Sequence, residues 1–292
     1  MVVANSSAQT WALFKEQVDD TIIKALQPKI LYPLLAKVYP ANGPIVEFNV
    51  TDSYLDAEEE SEAGEYANAV LNYERKFASV KDIGLAPRIP VNWIKDSRWD
   101  LVNDHVEAIG FGIARSINKD MMDALNIFVS GGTYRGQSYS AVANHVVAAT
   151  DVWSGVAASI VMDISNALEA LESDDAGDGR KFLILNPKAF KYIRTDPNFF
   201  RYINSGENKL IRQGIYPTPY GVEILVSSQA PLTYGLMVNV DLASIKYYER
   251  EALTIEIEKS ARSKQIDVVA YIRYALACAR PKALVKLTGL TA

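Results

Sequence analysis

The sequence predicts an α+β fold in which a projecting β-hairpin, one unusually long helix and a central α/β lobe share a single chain. Three patterns predict it. Residues alternate strictly between apolar and polar from Pro44, and a second extended run follows an acidic stretch. An apolar period of three to four residues then persists through Asp96 to Phe128, and beyond Asp151 short apolar strands alternate with helical patterns.

The elements follow in order. Between Trp11 and Leu35, Leu13, Val18, Ile22, Ile23 and Leu26 recur at near-helical spacing until Pro28 and Pro33 interrupt them, which reads as a short helix followed by an extended arm. From Pro44, Val46, Phe48 and Val50 point one way while Glu47, Asn49 and Thr51 point the other, the mark of a strand with one covered face. A second extended stretch runs from about Ala69 to Val80, with Leu71, Tyr73 and Phe77 on a shared face. Between the two lies an acidic loop of Asp56, Glu58, Glu59, Glu60, Glu62 and Glu65. Two long strands joined by a charged tip make a hairpin, and an isolated two-stranded hairpin is marginal in water. Its apolar face therefore needs a cover, supplied either by the chain's own body or by another subunit. Val46, Phe48, Val50, Leu71, Tyr73 and Phe77, with the acidic Glu58, Glu59 and Glu60, are the candidate subunit interface.

The segment Asp96 to Phe128 is the clearest element. Asp96 or Ser97 can cap it, and Val102, Val106, Ile109, Ile113, Ile117, Met121 and Leu125 form one apolar stripe. A helix of roughly 30 residues is about 45 Å long, far beyond the usual globular helix. With no second heptad series to pair with, it reads as a spine on which other elements pack. Ser130-Gly131-Gly132 ends it, and the polar stretch to about Asn144 reads as a loop.

After Asp151, a helix is expected from about Ser154 to Leu171, a turn from Asp174 to Arg180 and a buried strand Phe182 to Leu185. Asn186-Pro187 then caps a helix reaching Arg194. Gly214 to Pro219 reads as irregular. Strands are expected at Val222 to Ser227, Leu236 to Val240, Ser244 to Tyr248, Leu253 to Ile257 and within Ile266 to Leu287.

Composition narrows the function classes. The 292 residues are 49% hydrophobic and 22% charged, which excludes wholesale disorder. No apolar run is long enough for a membrane span, and Met1 to Thr10 lacks the pattern of a secretory signal, so a cytosolic origin is expected. The formal charge of −5, with no dense Lys/Arg stripe, argues against gripping nucleic acid through phosphates. Cys278 is the only cysteine, so no intrachain disulfide forms, and its apolar surroundings mark it as a small buried hydrophobe.

Chemistry-bearing patterns are thin. His105 and His145 are the only histidines and fit no metal-ligand spacing. Gly131 to Ser138 has phosphate-loop spacing, but Gln137 stands where lysine is required and the loop follows a helix instead of a strand. Gly110-Phe111-Gly112 has Arg115 where a third glycine would be, so close helix packing is the better reading. The acidic tip lacks the spacing of a calcium loop and reads as a solvated face that can meet a neighbour's Lys or Arg. No catalytic, cofactor-binding or metal site is assigned.

Taken in order, the elements resemble a known family. The arm, the hairpin, a spine helix opened by Trp93-Ile94-Lys95-Asp96-Ser97 and a lobe containing Phe182-Leu183-Ile184-Leu185-Asn186-Pro187 and Gly221 to Ser228 resemble the Hong Kong-type phage capsid fold. Tyr248-Glu249-Arg250-Glu251, Ile255-Glu256-Ile257 and the strand reaching Ala279-Arg280-Pro281 fit the same pattern. That fold is shared by major capsid proteins of tailed phages, archaeal tailed viruses and encapsulins. The resemblance implies an N-terminal arm over residues 1–43 and an extended loop over 44–85 that lies on an adjacent subunit. It further implies a peripheral domain over 86–150, an axial domain over 151–241 around fivefold and sixfold axes, and strands over 242–292 returning to the peripheral domain.

The implied function is a major capsid protein that self-assembles into an icosahedral shell around double-stranded DNA, without sequence-specific binding. Its partners would be other copies of itself in pentamers and hexamers, with scaffolding, portal and cement proteins as further candidates, and its place the virion, assembled in the host cytoplasm. Almost nothing precedes the arm, so a separate scaffolding protein or none is expected. Some members cross-link subunits through Lys and Asn with a catalytic glutamate. Lys76, Lys81 and Glu74 lie in that region, yet no motif supports the chemistry. The alternatives are an encapsulin-type shell around protein cargo and an unrecognised α/β enzyme.

Overall fold

The computed structural model describes residues 18, 20–24, 30–51, 73–92, 99–155, 158–196, 215–217, 220–242, 245–260 and 264–291. The acidic run, Leu71 and the Trp93 to Ser97 opening lie outside them.

A 32-residue helix, α2 (Trp99–Ser130), forms the spine. Val106, Ile109, Ile113, Ile117, Met121 and Leu125 are all buried, so the apolar stripe faces the core along the described length. The helix stops because Gly131 adopts left-handed backbone (φ 79°), its N–H closing onto Ile127 O at 2.9 Å. Gly112 lets a neighbouring strand approach, since an added Cβ would lie 2.5 Å from Leu85 Cδ1.

Two larger sheets flank this helix. Strands β1 (Lys37–Pro40), β4 (Lys81–Leu85), β5 (Arg88–Pro90), β13 (Ile245–Ser260) and β14 (Gln265–Cys278) make a five-stranded sheet in the order β1-β13-β14-β4, with β5 also paired to β14. The arm is thus partly a strand of its own subunit: a four-residue helix, α1 (Tyr32–Leu35), turns the chain into β1, which runs parallel to β13. Residue 18 and residues 20–24 are helical, with Val18 and Ile22 buried. Along β14, Ile266, Val268, Ala270, Ile272 and Tyr274 are buried at alternate positions.

The six-stranded sheet has the order β10-β11-β9-β12-β15-β8, formed by β8 (Val146–Ala148), β9 (Lys181–Leu185), β10 (Ile215–Pro217), β11 (Val222–Val226), β12 (Tyr234–Asn239) and β15 (Leu284–Thr288). Alternate residues divide it between two cores. Phe182, Ile184, Leu236 and Val238 join the spine and the five-stranded sheet. Leu183, Leu185, Met237 and Val285 pack with helices α3 (Ile160–Glu172) and α4 (Pro187–Thr195). Asn186 caps α4 as expected, its side chain accepting from Lys188 N–H at 3.1 Å.

Several expectations need correction. The stretch after the spine is a β-hairpin and not a loop: β6 (Gly132–Tyr134) pairs with β7 (Gln137–Tyr139) through a two-residue turn with positive φ at both Arg135 and Gly136. Helix α3 begins at Ile160, later than expected, because buried Asp163 ties the preceding turn, accepting Thr150 N–H and Trp153 Nε1–H at 2.8 Å each. Residues 215–217 form edge strand β10 antiparallel to β11. Leu284–Thr288 leaves the C-terminal strands to join the six-stranded sheet, pairing with β12 and β8.

Candidate functional site

The candidate interface centres on the hairpin of β2 (Ile45–Val50) and β3 (Glu74–Ser79), paired antiparallel with Val50 opposite Glu74 and Ile45 opposite Ser79. Strand alternation sorts its side chains into two faces. Inward lie Phe48 (5% exposed), Val50 (2%), Ala78 and Lys76 (4%), with Val46 half-buried. Outward lie Ile45 (59% exposed), Tyr73 (60%) and Phe77 (42%), interleaved with Glu47, Asn49 and Arg75.

The candidate interface therefore divides. Phe48 and Val50 belong to the subunit's own core, with Val46 packed against it, which corrects the assignment of these three to another copy. The physical reason is that the hairpin is held to the body even at its loop-side end, Thr51 N–H bonding Ala279 O at 3.2 Å, so the inward face has a surface to lie on. Tyr73 and Phe77 are not covered in this way. Glu58, Glu59, Glu60 and Leu71 fall outside the described residues.

The root is fixed by a polar network that sequence patterns do not reveal. Ser79 Oγ–H donates to Arg135 O at 2.8 Å. The Arg135 guanidinium, with its side chain 5% exposed, reaches Asp120 Oδ2 and Tyr274 O at 2.6 Å each. The same Asp120 oxygen accepts the hydroxyls of Tyr134 at 2.9 Å and Tyr274 at 2.8 Å. Burial pushes both tyrosine hydroxyls far up, and the Asp120 charge adds to it, so they remain protonated donors. Three segments thereby meet at one carboxylate, the spine, the β6–β7 hairpin and the five-stranded sheet, and Arg135 ties the hairpin root to them. The only trace in sequence is an aspartate flanking the apolar stripe of the spine.

A second cluster centres on His145. His145, 1% exposed, has Nδ1 at 2.7 Å from Leu284 O and Nε2 at 2.7 Å from Asp174 Oδ2. Lys282 Nζ donates to the other Asp174 oxygen at 3.0 Å. Burial pushes the Asp174 carboxyl up, but the hydrogen bonds and charges of Lys282 and His145 outweigh it and hold it below the ordinary carboxylate value. His105 is half-buried on the spine and Cys278 is fully buried. Among the described residues no group of three or more His, Cys, Asp or Glu is arranged to hold a metal ion. No described helix is long and apolar enough to cross a membrane. The near-phosphate loop is the β6–β7 hairpin, whose Arg135 is already committed to Asp120.

The profile of the phage capsid protein family matches residues 88–287, more than half of the chain. The chain belongs to the phage capsid protein family. It is a major capsid protein, a structural component of an icosahedral bacteriophage capsid and not an enzyme. Among solved structures, this capsid protein resembles the capsid of cyanophage P-SCSP1u at TM-score 0.63 and 12% identity, over 90% of this chain and 89% of that one. It resembles a virus-like particle from Pyrococcus furiosus at TM-score 0.63 and 12% identity, over 94% and 99%. It also resembles the capsid of an empty GTA particle at TM-score 0.61 and 15% identity, over 90% of each chain. At such identities the likeness speaks for the fold, and that fold is the Hong Kong-type capsid fold. No curated protein matches the capsid protein by sequence. The family match does not favour the encapsulin alternative. The capsid protein assembles with itself into an oligomeric shell, and its place is the virion capsid.

Proposed function

We propose that copies of this capsid protein form the pentamers and hexamers of a closed shell that encloses a double-stranded DNA genome, assembled in the host cytoplasm. Each hairpin lies over the adjacent copy. The observation that carries this reading is the outward face of the hairpin, where Ile45, Tyr73 and Phe77 are each more than 40% exposed while the inward face is already filled. A row of large apolar side chains on a projecting hairpin is unfavourable in a solitary subunit and becomes favourable once a neighbour covers it. The formal charge of −5 suits a wall that surrounds nucleic acid without gripping it. Scaffolding, portal and cement proteins are the further partners expected of such a shell.

Electron microscopy of the purified protein, followed by nuclease treatment of particles from infected cells, tests the reading. Closed shells protecting double-stranded DNA are expected. A persistent monomer, or shells whose contents are protein alone, overturns it. Deleting residues 56–65 should leave the subunit folded by circular dichroism while particle yield falls, and an unchanged yield removes the hairpin from its role.

A further inference from the structure

Between the edge of the five-stranded sheet and the hairpin runs the sequence Ala41-Asn42-Gly43-Pro44, which holds the only Asn-Gly pair in the chain. Both sides of that pair are pinned. Ala41 N–H bonds Glu249 O at 2.8 Å, next to the pairing of β1 with β13, and Pro44 O accepts Val80 N–H at 2.8 Å at the hairpin root. The two residues between lie in neither helix nor strand, and Asn42 is exposed. Among the described residues neither the Asn42 amide nor the Gly43 N–H has a hydrogen-bond partner. A backbone nitrogen free of any ladder can turn on the amide carbon of the side chain before it, and glycine removes the Cβ that would obstruct the approach. Other described asparagines lack one of these conditions. Asn144 also sits in a turn, but the next N–H, that of buried His145, bonds Val142 O at 3.4 Å. Asn186 is followed by Pro187, which has no N–H, and Asn49 is held in β2 before the β-branched Val50.

We propose that Asn42 is a site of spontaneous covalent modification, its side chain cyclising onto the Gly43 nitrogen to give a succinimide that water opens. The Gly43 nitrogen gives up its proton to solvent and bonds to Asn42 Cγ, while the Cγ–Nδ2 bond breaks and ammonia leaves. Water then adds to one of the two ring carbonyls. Attack at Cγ yields aspartate with the ordinary main chain. Attack at the backbone carbonyl yields isoaspartate, in which the main chain runs through the former side chain and is one carbon longer. Either product exchanges a neutral amide for a carboxylate that is ionised at neutral pH, and water is the only co-reactant. A negative charge and, in isoaspartate, a longer link thus arise where the chain leaves the sheet for the hairpin. An ageing population of the protein comes to hold chemically distinct hairpin roots.

In the test, the full folded chain is incubated at mildly alkaline pH in water enriched in heavy oxygen, and its peptides are followed by mass spectrometry. The peptide holding Asn42 should take up one heavy oxygen and split into two products, aspartate and isoaspartate, while Asn49, Asn144 and Asn186 keep their amides. Gly43→Ala should slow the conversion severalfold and leave the circular dichroism unchanged. Its methyl would meet only Ile45 O at 3.4 Å and Ile45 N at 3.9 Å, and Gly43 lies outside the left-handed backbone region. An Asn42 that keeps its amide for as long as the folded protein is followed overturns the proposal, and so does conversion that begins only after unfolding in urea. Aspartate without isoaspartate, or an equal rate in Gly43→Ala, means direct hydrolysis without a ring and overturns it too.

Discussion

The six-stranded sheet and the β2–β3 hairpin are both β-structure, yet their two faces are covered to different degrees. In β9 every residue from Phe182 to Leu185 is fully buried, because helices cover one face of the sheet and the spine side covers the other. In the hairpin, Phe48 and Val50 are buried, while Ile45, Tyr73 and Phe77 on the opposite face are exposed. The same alternation that buries one face exposes the other, and the exposed face is the one that the proposed assembly would cover. On the proposed function, folding and assembly would use opposite sides of the same strands.

Substitutions that respect this division should separate the two processes. Leu183→Ala removes a fully buried side chain between sheet and helices and should destabilise the subunit by about 2–5 kcal/mol, read from urea unfolding of the dissociated protein. Arg135→Met strands Asp120 without its cation and should cost about 3 kcal/mol, with Asp120→Leu in the same chain restoring part of the loss. Should the single change prove neutral, the network does not hold the hairpin root. Asp174 sets a pH dependence of smaller size. Its folded value lies below the ordinary 3.8, so its contribution is fully present above that value and fades as pH falls through the lower folded one. The stability gap between wild type and Asp174→Asn should therefore be constant near neutrality and close in acid, whereas a gap that widens in acid contradicts the assigned pairing. Phe77→Ser should change subunit stability least, by within about 0.5 kcal/mol, because the side chain lies on the exposed face and outside the buried core. Its effect should appear in particle yield by sedimentation, and equal yields would erase the contrast between the two faces.

What was legible in the sequence was what is local. The spine, the Phe182 to Leu185 strand and the Asn186 cap are each set by neighbours within a few residues, and the structure contains them. Strand β13 is a single 16-residue strand that the sequence shows as two pieces, because register shifts between Glu249 and Glu251 and again between Glu251 and Thr254 break the alternation. Strands β6 and β7 have three residues each, too few for a period to emerge. The clusters at Asp120 and His145 join residues far apart in the chain, and Lys76 carries no local sign that its ammonium is buried. Alternation showed that the hairpin had a covered face, but pattern alone could not name the cover.

The placement of β15 has a bearing on biosynthesis. β15 sits between β12 and β8, so the sheet whose first strand is β8 is closed by a strand translated well over a hundred residues later. A nascent polypeptide still lacking residues 284–288 has a gap in that sheet and leaves the apolar sides of β8 and β12 unpaired. Chains that end before residue 284 should therefore be cut by protease faster than the full subunit, because two strand edges lack their partner.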